Sequence, residues 1–159
     1  MQRITATLLL TFAAAQSLAA PVPAARTFVD ATQLLTTDTM VDAWYGGMVN
    51  MRVGFDEICA DTFCAGDYTN IQPLRLRCSA DAATHVISRC QWTFAASNET
   101  VNPSTGQIKV DAPIYRCRIP IAPRTTVADL ANAWSVADPL RATVPRTGRS
   151  VYDALADCL

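Results

Sequence analysis

Apolar positions in this 159-residue chain change period twice, and the changes divide it into elements. Met40, Trp44, Met48, Met51, Phe55 and Ile58-Cys59 recur at spacings of three and four. That spacing places them on one stripe of an amphipathic helix beginning near Asp38, with Asp38 as its N-cap and Asp42 favouring the helix dipole. Gly46-Gly47 interrupts the helix at a cost of about 1 kcal/mol per residue against Ala, so this stretch is expected to kink or to pack closely on a neighbour.

Further along, the period becomes two. Leu74, Leu76 and Cys78 alternate with Arg75 and Arg77, and Val86, Ser88, Cys90, Trp92 and Phe94 alternate with Ile87, Arg89, Gln91 and Thr93. After a turn-rich stretch, Ile108–Val110 and Tyr115-Cys117-Ile119-Ile121 follow, the latter alternating with Arg116 and Arg118. These segments predict an antiparallel meander with one apolar face, against which the helix packs. Thr126 with Asp129, and Ser150 with Asp153, have the spacing of N-terminal capping pairs, so two short helices close the chain. The fold class expected is α+β: an N-terminal amphipathic helix on an antiparallel meander sheet, short C-terminal helices and three disulfides.

The first residues read as an address. Arg3, an apolar run from Ile4 to Ala15 and the small residues of Ser17-Leu18-Ala19 make residues 1–19 a signal peptide. Its apolar run is too short to span a bilayer. Residues 20–27 form a Pro/Ala leader, and residues 28–159 a single disulfide-stapled domain with no repeat or low-complexity stretch. The expected location is the periplasm or the exterior, with no membrane anchor in the mature chain. The use of Arg over Lys, with Lys109 the sole lysine, points to a GC-rich bacterial source.

Export gives the cysteines a role. Cys59, Cys64, Cys78, Cys90, Cys117 and Cys158 are even in number, include no C-x-x-C pair and have a single histidine for company, so they read as disulfides and not as a metal or redox centre. Folding the chain at Pro103-Ser104 brings Cys90 opposite Cys117, the preferred pair. Cys59 with Cys158 and Cys64 with Cys78 complete the set as a guess.

A formal net charge of −1 argues against a nucleic-acid binder. The functional signal lies in where the cations fall. If the strand register holds, Arg75, Arg77, Arg89, Arg116 and Arg118 share the sheet face opposite the helix, where guanidinium groups suit carboxylate or phosphate partners. The competing reading is a solvated face neutralised by acids from loops. A second candidate is the loop holding Asp56, Glu57, Asp61 and Asp67, where Phe63 and Tyr68 offer aromatic anchors. Its carboxylates lack the EF-hand spacing.

Catalytic signatures are absent: there is no nucleophile elbow, phosphate loop or zinc-protease motif, His85 stands without a partner motif, and no cofactor is implied. The function expected is therefore an exported binding protein, most concretely an inhibitor or immunity-type protein that occludes a secreted or periplasmic enzyme. Its partner would be another exported protein with an acidic surface. The alternative is a small hydrolase or small-ligand binder using the hollow between helix and sheet, with Asp61, Asp67 or His85 as acid or base.

Overall fold

The computed structural model describes residues 25–59, 68 and 70–159. Residues 1–24, read from the sequence as a signal peptide and most of a leader, lie outside the described residues together with Asp61, Phe63, Cys64 and Asp67.

Strand β1 (Phe28–Asp30) leads into a 3₁₀ turn at Ala31–Leu34 that Asp30 caps, its carboxylate accepting from the Thr32 amide at 3.0 Å. Helix α1 then runs over Asp38–Ile58. Its N-cap is Thr37, whose hydroxyl accepts from the Met40 amide, and Asp38 occupies the first turn instead. A β-branched hydroxyl with extended backbone meets the capping geometry one residue earlier than the sequence pattern suggested.

The face that α1 buries is Trp44, Gly47, Met51 and Phe55. Phe55 sets its ring against Phe94 and Trp92 of the sheet, with centroids 4.9 and 6.1 Å away. About three turns toward the N-terminus, Trp44 tilts against Trp134 at 4.9 Å. Both indole N–H groups are buried without an acceptor among the described residues, so ring packing and not hydrogen bonding holds this crossing.

Strands β2 (Gln72–Asp81), β3 (Ile87–Ala95) and β6 (Ile114–Ile119) join β1 in a four-stranded antiparallel sheet of order β1-β2-β3-β6. Two irregularities correct the simple alternation. The register shifts between Pro73 and Arg75, leaving Leu74 unpaired and 52% exposed where it was expected to point inward. It shifts again near Ser79, so Ile87 is buried and Ser88 is exposed, the reverse of the expected phase. Each bulge inserts one residue and flips the faces beyond it.

Between β3 and β6 the chain makes a separate hairpin, β4 (Asn98–Val101) with β5 (Ile108–Asp111). The turn at Pro103-Ser104 belongs to this hairpin, where Asn102 caps the loop and Gly106 supplies a φ of 71°. Ile108–Val110 is therefore no strand of the main sheet.

That hairpin also overturns the cysteine pairing. Cys78 stands directly opposite Cys90, with Cα atoms 4.0 Å apart, and the two are bonded. In the β3/β6 ladder Cys90 faces Ile119, while Cys117 faces Trp92. Cys117 instead bonds Cys158 beyond the last helix. The pairs Cys90–Cys117, Cys59–Cys158 and Cys64–Cys78 are thus excluded. Among the described residues there are two disulfides; Cys59 is buried, and any third bond through Cys64 falls outside them.

Helices α2 (Val127–Trp134) and α3 (Val151–Ala156) close the chain, each opened by a full capping box, Thr126 with Asp129 and Ser150 with Asp153. No helix among the described residues is long and apolar enough to cross a membrane.

Candidate functional site

The outward face of the sheet holds the arginines in ordered rows. Arg75 of β2 faces Thr93 of β3, which faces Arg116 of β6. In the next row Arg77, Gln91 and Arg118 align in the same way, and Arg89 stands opposite Ser79. All five arginines are exposed. The arrangement differs from one in which like charges oppose each other directly: an uncharged side chain of the central strand separates the cations of each row.

Separation by two strand spacings, about 10 Å, reduces the repulsion within a row to about 0.4 kcal/mol in water, and salt screens it further. Along a strand the cations are closer, Arg75 with Arg77 and Arg116 with Arg118 about 7 Å apart, so the face as a whole carries a mild like-charge cost. The cations are also mostly unneutralised. Arg77 pairs with Asp30, and the other four make no ion pair among the described residues. Burial pushes the Asp30 carboxyl up, but the Thr32 hydrogen bonds and the charges of Arg77 and Arg75 outweigh it and hold Asp30 below the ordinary Asp range.

At one end the face runs into a concavity of about 500 Å³. Arg89 and Arg118 line it from the sheet, and Arg149 lines it from the segment before α3. Arg149 donates to Asp157 and to the carbonyl of Asp153, which fixes its guanidinium. The Cys117–Cys158 bond ties α3's end to β6, so the two walls of the concavity are cross-linked. Arg149 carries no sequence signal of its own. Only the disulfide partnering of Cys117 would have placed it near Arg118.

The other sequence candidates lie elsewhere. Tyr68 is half-buried, donates its hydroxyl to Asp111 at 2.6 Å and stacks edge-on against Tyr115, so it anchors the base of the hairpin. Phe63 lies outside the described residues. His85 sits at the β2/β3 turn with a left-handed φ of 57°, in a turn capped by Asp81, and it does not line the arginine concavity. Three hydrogen bonds from Thr84 and Ala83 hold Asp81 below the ordinary Asp range, with the Thr84 amide foremost. The hollow between helix and sheet is filled by Phe55, Trp92, Phe94 and Met51. Two openings remain beside α1 and β2: a groove of about 220 Å³, whose lining includes Tyr45, Val49, Arg52 and Leu74 and has no carboxylate or imidazole, and one of about 280 Å³ lined by Tyr45, Met48, Arg75 and Asp30, whose carboxylate is already paired with Arg77. Among the described residues no cluster of His, Cys, Asp or Glu could hold a metal ion.

One feature the sequence reading missed is the outer hairpin. Val101 and Ile108 are directly opposed, and Glu99 and Val110 flank them on the same face. Val101, Ile108 and Val110 are 66, 66 and 60% exposed. These three side chains leave one face of the hairpin apolar and exposed, beside Glu99.

No protein-family model matches this chain, and neither a curated protein nor a solved structure matches it.

Proposed function

We propose that this chain is an exported binding protein of the inhibitor or immunity type, which occludes an enzyme with an acidic surface. The observation that supports this most is the outward face, where Arg75, Arg89, Arg116 and Arg118 make no ion pair among the described residues. A merely solvated face would gain from interspersed acids, and this one has Thr93 and Gln91 in the places where acids would neutralise it. The cations steer and orient the partner, and the exposed apolar face of the β4/β5 hairpin provides the desolvated contact that cations alone do not supply.

The test is capture from the exported fraction of the source cells by the oxidised protein, compared with an Arg75→Glu/Arg116→Glu variant. Both positions are exposed, so the variant should unfold within about 0.5 kcal/mol of wild type per site. The expected result is one captured enzyme of acidic surface, inhibited by stoichiometric wild type and bound at least about 100-fold more weakly by the variant. Equal capture by both proteins, or a captured protein whose activity is unchanged, would refute the reading.

A further inference from the structure

We infer that the concavity formed by Arg89, Arg118 and Arg149 is a binding site for a small organic dianion of the phosphate-monoester type. The site goes beyond the docking role of the sheet face and does not depend on a protein partner.

The argument begins with charge. Three guanidinium groups and one carboxylate, Asp157, line the concavity, leaving two positive charges uncompensated. Asp157 is committed to Arg149, while Arg89 and Arg118 have no acceptor among the described residues. A doubly charged ligand matches this surplus, and a phosphate presents three oxygens to the forked donors that guanidinium groups offer.

Preorganisation is the second strand of the argument. Arg149 is held from two sides, by the Asp157 carboxylate and the Asp153 carbonyl, so little side-chain freedom is lost when it meets an anion. Arg118 rises from the β3/β6 ladder, and Arg89 from the residue of β3 just before that ladder, held opposite Ser79 of β2. The Cys117–Cys158 bond joins the strand bearing Arg118 to the chain end bearing Asp157, so the walls hold their spacing.

Size and lining specify the rest of the ligand. A volume of about 500 Å³ exceeds what a bare inorganic anion needs and lies within the range of small-molecule sites. Pro120 and Ile121 give it a half-buried apolar wall beside the cations, suited to an organic body attached to the phosphate.

The test is calorimetric titration of the full oxidised chain with phenyl phosphate, inorganic phosphate, succinate and benzoate, followed by amide chemical shifts. The expected result is one phenyl phosphate per chain, bound at least about tenfold more tightly than benzoate and more tightly than inorganic phosphate, with shifts centred on Ser88, Ile121 and Arg149. Arg89→Gln/Arg118→Gln should weaken it by at least about tenfold, while Arg75→Gln/Arg116→Gln, on the same face but outside the concavity, should leave it within about twofold. No saturation by about 10 mM phenyl phosphate would overturn the assignment. Equal losses in the two variants would also overturn it, by showing diffuse attraction to the whole face. Succinate binding as tightly as phenyl phosphate would remove the phosphate specificity. None of these results bears on capture by Arg75 and Arg116, so the two proposals fail separately.

Discussion

Gly46 and Gly47 are neighbours in α1, yet replacing each by alanine should move stability in opposite directions. A Cβ built on Gly46 meets nothing within 4 Å. Gly46→Ala therefore recovers the helix propensity that glycine forfeits, about 1 kcal/mol, without a steric charge against it. A Cβ on Gly47 would lie 2.6 Å from the Trp134 Cβ and 2.8 Å from the Trp134 carbonyl oxygen. These are atoms of the buried end of α2, and no side-chain rotation moves them aside. The helices must part by several tenths of an ångström, which also loosens the Trp44–Trp134 contact. Overpacking of this kind costs about 1–3 kcal/mol, and the recovered propensity offsets about 1 of it. The net expectation is a loss of up to about 2 kcal/mol for Gly47→Ala. The two variants should differ by about 1–3 kcal/mol, or about 3–10 °C in Tm for a domain of this size. Urea and thermal unfolding of the oxidised proteins, followed by circular dichroism, measure the difference. If Gly47→Ala proved as stabilising as Gly46→Ala, α1 would not cross α2 at this point and the account of the glycine pair would be wrong.

Two further outcomes follow from the closing elements. Replacing both cysteines of a bond by serine should cost about 4 kcal/mol for Cys117–Cys158 and about 3 kcal/mol for Cys78–Cys90 on the chain-entropy model, because the bonds close separations of 41 and 12 residues. Equal urea midpoints for the two variants would contradict that ordering. The capping-box carboxylates should make stability acid-sensitive. Backbone amides of Thr126 and Ser150, foremost among their contacts, hold Asp129 and Asp153 below the ordinary Asp range. A depressed folded-state pKa adds stability that is fully present above the unfolded value of about 3.9 and disappears as pH falls through the lower folded value. The urea midpoint should therefore stay level from neutral pH to about 5 and fall below about 4, and Asp129→Asn/Asp153→Asn should flatten that fall.

What could be read from the sequence was local. The Thr126/Asp129 and Ser150/Asp153 pairs lie three residues apart and meet within one turn of helix, so their spacing alone specifies the contact. Trp44, Met51 and Phe55 are likewise marked by their period. Gly47 could not be read in the same way, since its reason is Trp134, a residue far along the chain. The outward set of arginines survived the bulges because both shifts fall outside the stretch from Arg75 to Ser79 that pairs with Thr93 to Arg89.

The cysteine pairing depended on distance along the chain in a different way. Treating Ile108–Val110 and the segment after it as successive strands makes Pro103-Ser104 the turn of the main sheet, and Cys90 then meets Cys117. Placing that turn in a hairpin of its own lets β6 return against β3 two positions out of that register, with Trp92 across from Cys117. Cys117 is then free to reach Cys158, and that bond draws the end of α3 to the sheet. Arg149 arrives with it, held through Asp157, beside Arg118 and Arg89. One misplaced turn thus hides two things at once, the true disulfide and the third cation of the concavity. The same dependence means that the hairpin, although far from the concavity in sequence logic, sets the register on which its geometry rests.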